Sequence, residues 1–428
     1  CSIETTHLID NNYDNLSSSV DNFFRIEDCE SLNDETKAMS VEDKIAFEKI
    51  NKSIHKVKGH YEVRVPWRKD EPSMPNNRLQ AVQRLQGLQW KFKRNPEKFM
   101  EYSKAIEQEI LPESDKASWL RHQQDFKHER KKLRIVFDGS KKCQDKSLNT
   151  EVMQGPDLLH TLVGILLRFR ESPFAVSADI ASFFHCVLVP KCDVNYGRYL
   201  WYENSNPDGR IIEMRMLVHL FGGISSQACS VAALSRCFDD AVESGIIDSS
   251  VAEEAKRAFY CDDFLKSFLT IESASIFCNV LRKVLQSGGF NLTKFTSSHS
   301  EILRTFPTEA LAESVKDLNL TGKTGTTLGL TWNMETDAFS FDSIPQEENV
   351  TFTKRGITST IASIFDPIGL LAPVITTAKI ILSTIFSRKS DWDDKLNDSE
   401  EKTFKKWLRG LTHVKGLKIP RCAIPKDF

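Results

Sequence analysis

Two adjacent aspartates, Asp262 and Asp263, lie inside an apolar run at residues 258–265, whose composition favours a buried strand. Moving an ionised carboxylate out of water costs several kcal/mol, and two neighbouring carboxylates also repel each other. The pair is therefore expected either at an exposed turn or against bound cations. Mg²⁺ suits such a site, because hard cations bind carboxylate oxygens and keep positions for water and phosphate.

A third carboxylate, Asp179, lies far upstream, near the end of an apolar segment at residues 174–180 that reads as a short strand. Carboxylates from two strands can hold two metal ions about 4 Å apart, one activating a 3′-hydroxyl and one the leaving pyrophosphate. The three residues together predict nucleotidyl transfer of the kind found in the palm of a polymerase.

The motif Tyr260-Cys261-Asp262-Asp263 resembles the Tyr-x-Asp-Asp box of reverse transcriptases, and Asp179 stands where their first catalytic aspartate does. Further motifs agree, in order and spacing, with the Pao/BEL group of LTR retrotransposons. They lie at residues 134–138, 147–149, 154–159, 221–226, 288–294, 328–332 and 364–373. The chain is thus similar to the reverse transcriptase region of a Pao/BEL Pol polyprotein over roughly residues 59–421.

The resemblance implies an α+β fold of the right-hand polymerase type, with fingers, a palm made of an antiparallel sheet backed by helices, and a thumb or connection. It implies an RNA-directed DNA polymerase that uses two Mg²⁺ ions, with Mn²⁺ as an alternative. Asp179 and Asp262 are then expected to be direct metal ligands and Asp263 a weaker one. The implied partners are an RNA or DNA primer–template and deoxynucleoside triphosphates.

The same resemblance implies a nucleotide-binding set. Arg134 would grip the triphosphate, since a planar guanidinium suits phosphate, and Phe184 would block the sugar 2′-hydroxyl. Phe221 and Gly222 would line the nucleotide pocket, with Gly222 allowing close approach of the base pair. Lys294 would protonate or contact pyrophosphate.

A primer grip is implied at Leu328, Gly329 and Trp332, although a Leu-Gly turn beside a core tryptophan is common in proteins. The stretch from Arg121 to Lys146 is rich in lysine and arginine. In a chain with a net charge of −2, such a local patch is needed for nucleic-acid binding.

The composition is that of a soluble intracellular protein: 40% of the 428 residues are hydrophobic and 27% are charged. No apolar stretch is long enough to span a membrane, and the ten cysteines lack a Cys-x-x-Cys pair. Cys261 is interpreted as a small filler in the turn. The resemblance implies a cytoplasmic location with virus-like particles, and nuclear access for the products.

We expect four segments. Residues 1–58 read as a largely irregular polyprotein linker and residues 59–118 as a helical N-terminal extension. Residues 119–345 hold the fingers and palm, and residues 346–428 a truncated thumb- or connection-like segment. Protease, RNase H and integrase modules would lie outside this chain, and the oligomeric state stays open.

Two alternative functions stay open. The first is a catalytically defective remnant that binds nucleic acid, favoured by Gln227, where related sequences have proline, and by residues 120–123, where a Leu-Pro-His-His segment is usual. The second is a Pao-type peptidase, which the lack of any Asp-Thr-Gly or Asp-Ser-Gly motif disfavours.

Overall fold

The computed structural model describes residues 39–70, 72–109, 136–318, 320–341, 344–388 and 390–424. Most of the buried hydrophobic residues in these ranges belong to one large core, and two smaller clusters lie apart from it. None of the helices in these ranges is long and apolar enough to cross a membrane.

The strands of the described residues form four small sheets. They are β1 (His55–Val57), β2 (His60–Glu62), β3 (Phe174–Ile180), β4 (Val187–Leu188), β5 (Arg198–Tyr202), β6 (Ile211–Arg215), β7 (Phe259–Tyr260), β8 (Asp263–Phe268), β9 (Leu292–Ser297), β10 (Thr324–Thr327), β11 (Leu330–Asn333), β12 (Ala338–Ser340) and β13 (Lys418–Pro420). Their orders are β1-β2-β4, β5-β6, β7-β8-β3-β9 and β10-β11-β12-β13.

The α-helices cover much of the rest. They are α1 (Val41–Ser53), α2 (Arg78–Arg94), α3 (Pro96–Glu109), α4 (Leu148–Glu151), α5 (Leu162–Phe169), α6 (Ser226–Glu243), α7 (Ser249–Lys256), α8 (Ile271–Ser287), α9 (Ser300–Leu303), α10 (Lys354–Ala362), α11 (Ala372–Phe386) and α12 (Asp398–Gly410).

The sheet β7-β8-β3-β9 is antiparallel throughout and carries the three aspartates. Its strands are rich in aromatic and aliphatic residues, and Phe264, Phe290 and Phe295 are fully buried around it. Helix α8 packs against β3, β8 and β9, while α5 packs against β8. The expectation of an antiparallel sheet backed by helices agrees with this mixed α and β architecture.

Local signals explain where the two long helices beside this sheet begin and end. Helix α6 buries small residues, alanines and cysteines, which allows close packing, and the chain leaves it through Gly245 at φ +68°. Helix α8 is capped at its N-terminus by Thr270, whose side chain accepts from the backbone N–H of Ser273 in a capping box. It ends at Gly288 and is followed by Gly289 at φ +82°.

The expectation that residues 1–58 are largely irregular is wrong from residue 41 onward. Ser40 caps α1 by accepting from the N–H of Asp43, and Ala46 and Ile50, one turn apart, are fully buried. Helix α1 packs against α6. The short apolar stripe is hidden among polar residues in the sequence, because only two of its positions are buried. Residues 1–38 lie outside the described part.

The last sheet joins distant parts of the chain. Strand β13 pairs with β12, which belongs to the meander that follows the aspartate sheet. Buried Arg421, just beyond β13, donates from Nε to Asp337 Oδ1 at 2.8 Å and from Nη2 to the carbonyl oxygens of Ser172 and Pro173, each at 2.9 Å. The segment after residue 346 is therefore tied to the aspartate sheet through its final strand.

Candidate active site

Asp262 and Asp263 lie at the tip of the β7–β8 hairpin. Tyr260 is opposite Asp263, so Cys261 and Asp262 form a two-residue turn, with Cys261 at φ +57°. Positive φ in such turns matches the twist of the strands that they join. Burial raises the pKa of the Cys261 thiol to about 12, so it is protonated at neutral pH and packs as a small apolar group.

The register of the sheet brings Asp179 beside this turn. Asp179 on β3 is directly opposite Asp263 on β8, and the N–H of Ile180 donates to the carbonyl oxygen of Asp262 at 2.8 Å. All three aspartates are partly buried. Residues far apart in the sequence thus meet at one end of one sheet.

The electrostatics of this cluster are those of carboxylates held too close together. Burial first, and then the negative charges of Asp262 and Asp179, raise the pKa of Asp263 to about 7, while Lys294 acts in the opposite direction. A third negative charge is unfavourable at this position unless positive charge is brought to it.

Lys294 supplies positive charge at the other side of the cluster. Its Nζ lies 3.0 Å from Asp179 Oδ1, and its own side chain is 63% exposed. Lys294 has φ +56°, and the register between β3 and β9 shifts between Ser177 and Asp179. Such a bulge re-aims a side chain, and here it directs the ammonium to Asp179.

These carboxylates are chemically suited to a hard divalent cation. Burial and the two neighbouring carboxylates raise the pKa of Asp263, and a cation beside it would favour its ionised form. Within the described ranges, however, no group of three or more His, Cys, Asp or Glu side chains is already arranged to hold a metal ion.

Two other acidic doublets differ from this one. Asp240 accepts from the Tyr61 hydroxyl at 2.5 Å and from Arg236 Nε at 2.6 Å, so it is neutralised and hydrogen-bonded on the surface of α6. Asp393 pairs with Arg355 at 2.8 Å in an exposed loop. Only at the β7–β8 turn does a doublet face a third carboxylate across a sheet, among the residues described.

Phe184 and Phe221, two expected nucleotide-binding residues, pack against each other with ring centroids 4.8 Å apart. Phe184 belongs to a 3₁₀ turn, Phe183–Cys186, that directly follows β3 and Asp179. Phe183 is buried, while Phe184 is partly exposed. Phe184 therefore follows Asp179 by five residues of chain, and Phe221 packs against it.

Gly222 has a steric requirement that the sequence alone did not reveal. It has φ +103°, and a Cβ there would lie 1.9 Å from the carbonyl oxygen of Phe137. The N–H of Phe137 donates to the carbonyl of Phe221 at 3.0 Å, and Asn149 Nδ2 donates to the carbonyl of Gly222 at 3.1 Å. The close approach seen is that of another backbone segment, and approach to a base pair stays a prediction.

Asn149 is a residue that the site analysis from sequence did not single out. Its side-chain amide oxygen also accepts from the backbone N–H of Ile224 at 3.1 Å. Its backbone N–H donates to the carbonyl of Gly139 at 2.9 Å. It therefore fixes the loop at 221–224 against the loop at 137–139. The signal in the sequence that could have identified Asn149 is its position in the motif Ser147-Leu148-Asn149.

Leu328 and Gly329 form the turn between β10 and β11, both with positive φ, at +45° and +85°. This is the backbone of a two-residue primed hairpin turn. Trp332, three residues after Gly329, is 1% exposed, and its Nε1 donates to Asp337 Oδ1 at 2.9 Å. Trp332 is therefore a core residue, whereas Leu328 is half-buried and Gly329 is exposed, with the Phe365 ring 2.6 Å from a Cβ built at Gly329.

Arg134 lies outside the described residues, as does the basic segment up to residue 135. Its predicted grip on the triphosphate stays a prediction. Asp138, in the same motif, accepts from Arg84 Nη2 at 2.6 Å and from Ser140 at 2.8 Å.

Residues 353–427 match the family described as the Pao retrotransposon-like RNaseH-like domain. That description is of an RNaseH-like domain within the chain, so the expectation that any RNase H module lies outside it is wrong for these residues. The thumb- or connection-like interpretation of residues 346–428 stays a prediction. None of the curated proteins compared with the chain matches it.

Two solved structures from foamy virus resemble the chain. One is a protease–reverse transcriptase in complex with double-stranded DNA, at 16% identity and TM-score 0.43, covering 67% of this chain and 43% of that one. The other is the protease–reverse transcriptase with an RNA/DNA hybrid, at 14% identity and TM-score 0.38, covering 63% and 31%. The chain spans less than half the length of either structure, and likenesses at these TM-scores carry no argument about function.

The match over residues 353–427 confirms the similarity to Pao-type retrotransposon Pol polyproteins that the sequence motifs indicate.

Proposed function

We propose that the chain is the reverse transcriptase region of a Pao/BEL-type Pol polyprotein and that it adds deoxynucleotides to a primer 3′-hydroxyl on an RNA or DNA template. The proposed fold is the right-hand polymerase fold, with the sheet β7-β8-β3-β9 as its palm. We extend the proposal to a cytoplasmic location within virus-like particles.

The observation that supports it best is the register of the aspartate sheet. Asp179 and Asp263 are directly opposite each other across β3 and β8, and Asp262 lies in the adjoining turn. A structural role does not require three carboxylates at one sheet end, since each raises the cost of ionising its neighbours. A site that binds divalent cations and phosphate uses carboxylates of this kind as ligands.

Asp179 and Asp262 would hold two Mg²⁺ ions, with Asp263 as a weaker ligand, and Mn²⁺ would serve as well. When bound, such ions activate the attacking hydroxyl and stabilise the leaving pyrophosphate. Lys294, exposed and already beside Asp179, is placed to exchange that carboxylate for a phosphate oxygen as a substrate arrives. Arg134 would bind the triphosphate from the segment outside the described ranges.

The incoming nucleotide would lie against Phe184 and Phe221, whose rings pack against each other, with Phe184 five residues after Asp179 in the chain. Phe184 would fill the space that a 2′-hydroxyl needs, which selects deoxynucleotides by shape. Gly222 and Asn149 would keep the loop at 221–224 in place behind Phe221. Leu328 and Gly329, at the tip of the β10–β11 hairpin, would contact the primer strand, and Trp332 would belong to the same grip through its place on β11.

Primer extension tests the proposal. The protein is assayed on RNA and DNA templates with Mg²⁺ and then Mn²⁺, alongside the variants Asp179→Asn and Asp262→Asn. An amide is a poor substitute for a ligating carboxylate, so both variants should lose extension while keeping the wild-type circular dichroism spectrum. Asp393→Asn serves as a matched control, since it makes the same change in an exposed ion pair.

Extension at the wild-type rate by either active-site variant would contradict the proposal. A wild-type protein that binds primer–template but extends it with neither metal would instead favour the alternative of a defective remnant that only binds nucleic acid.

A further inference from the structure

Helix α2, Arg78–Arg94, carries an unusual concentration of positive charge. Its sequence contains five lysines or arginines and no aspartate or glutamate, in a protein of net charge −2. Three of the five, Lys91, Lys93 and Arg94, lie in its last turn and are exposed. Helix α2 lies outside the motifs that carry the proposed polymerase site.

An exposed aromatic ring lies among these charges. Trp90 is 57% exposed, although tryptophan is usually among the more buried residues. The guanidinium carbon of Arg94, one turn further on, lies 3.4 Å from the Trp90 ring centroid. This stacking orders both side chains on the helix surface and presents a flat group beside positive charge.

A glycine lies on the same face, one turn before Trp90. Gly87 is in the interior of α2, where glycine is a poorer helix former than alanine. A Cβ built at Gly87 would meet no atom within 4 Å, and its φ is not positive. Neither packing nor backbone conformation therefore requires glycine here, and its effect is to leave the surface next to the Trp90 ring open.

The opposite face of α2 is firmly anchored. Leu85 and Phe92 are buried in a cluster with Trp201 and Tyr202 of strand β5. Gln89 Nε2 also donates to the carbonyl of Pro207 at 2.6 Å. The exposed face is thus held on a rigid support, which lowers the entropic cost of binding to it.

The middle of the helix is connected to the proposed nucleotide pocket. Arg84 binds Asp138 at 2.6 Å, and Phe137, the preceding residue, is hydrogen-bonded to Phe221. Arg84 and Arg94 are separated by about 15 Å along the helix axis, at 1.5 Å per residue. A single strand leaving the pocket would need a surface of this kind.

We infer that the exposed face of α2, formed by Gly87, Trp90, Lys91 and Arg94, binds single-stranded nucleic acid, namely the template strand ahead of the primer terminus. A base stacks near the Trp90 ring, while Lys91 and Arg94 contact backbone phosphates, as in other single-strand sites that combine aromatic rings with cations. The template assignment rests on the proposed function, whereas binding of single strands by this face does not.

Binding measured without catalysis tests the inference. Fluorescence anisotropy gives the Kd of the full chain for a primer–template with a flush end and for one with a single-stranded template overhang, without nucleotide. Trp90→Ala should lower the affinity for the overhang substrate about tenfold, within the range seen for loss of one stacked base. Affinity for the flush duplex should stay unchanged.

The charge contribution is tested by the double change Lys91→Gln and Arg94→Gln. Loss of two single-strand phosphate contacts should reduce the slope of log Kd against log salt by about 1.4 for the overhang substrate. Lys402→Gln with Lys406→Gln, two exposed lysines on α12, is the matched control and should leave the slope unchanged.

Equal losses for flush and overhang substrates, or equal effects of the test and control pairs, would overturn the inference. Unchanged overhang affinity in Trp90→Ala would do the same. Asp179→Asn, which tests the proposed function, should leave the overhang preference intact, so the two ideas fail separately.

Discussion

Replacing Gly222 by alanine should destabilise the protein far more than the addition of one methyl group suggests. At φ +103°, an alanine is strained by roughly 1–3 kcal/mol. Its Cβ would also lie 1.9 Å from the carbonyl oxygen of Phe137, which is backbone and cannot rotate away. Relieving that overlap separates the two loops.

Separation would break the hydrogen bonds from Phe137 to Phe221 and from Asn149 to Gly222, each worth about 1 kcal/mol. Strain and lost bonds together predict a decrease of about 3–5 kcal/mol in the free energy of unfolding. Because Phe221 would shift, KM for deoxynucleotides should rise as well.

Gly245→Ala is the matched control. It has φ +68° but no atom within 4 Å of a built Cβ, so only the conformational cost of about 1–2 kcal/mol applies. Urea unfolding gives the free energy of unfolding of the wild type and of both variants, and these values compare directly when the three m-values are equal. A Gly222→Ala loss no larger than that of Gly245→Ala would refute the steric reasoning.

Three further predictions concern single side chains. Phe184→Val should raise the ratio of ribonucleotide to deoxynucleotide kcat/KM about tenfold or more, and an unchanged ratio would make Phe184 a packing residue only. Burial lowers the pKa of His219 to about 4 in the folded protein, against about 6.5 in the unfolded chain. The free energy of unfolding should therefore decrease as the pH falls from about 6.5 toward 4, because the unfolded chain binds a proton that the folded protein does not. Between pH 7 and pH 4, urea unfolding should show a smaller loss of unfolding free energy in His219→Gln than in wild type, with a difference of up to roughly 3 kcal/mol. Equal losses in the two proteins would contradict this. Arg421→Met should cost about 3–5 kcal/mol, because it leaves Asp337 and buried carbonyl oxygens without their donor; thermal unfolding within two degrees of wild type would contradict it.

Much of the aspartate sheet could be predicted from sequence because its signals are local. The apolar runs around Asp179 and Asp262 each act within a few residues of chain. The motif order then indicated which strands come together. Lys294 was also singled out, although its positive φ and the bulge that aims it at Asp179 depend on pairing between β3 and β9.

Features that depend on distant contacts could not be foreseen. Gly222 reads as a flexible position near a ligand, whereas its nearest obstacle is Phe137, far away in sequence. Trp332 reads from sequence either as part of a primer grip or as a core tryptophan. It is buried and bonded to Asp337, which in turn accepts from Arg421 near the other end of the described chain. Helix α1 was missed because two buried residues produce too weak a pattern.

The central claim is that Asp262 binds a divalent metal during nucleotide addition, and metal rescue tests it most directly. Asp262→Cys replaces a hard oxygen ligand by a thiolate, which binds Mg²⁺ poorly and softer ions such as Mn²⁺ or Cd²⁺ better. We predict that single-turnover primer extension by Asp262→Cys is lost in Mg²⁺ and recovered when Mn²⁺ or Cd²⁺ is added, while Asp262→Ala recovers with neither ion. Extension by Asp262→Cys in Mg²⁺ at the wild-type rate, or equal recovery of both variants, would contradict the account.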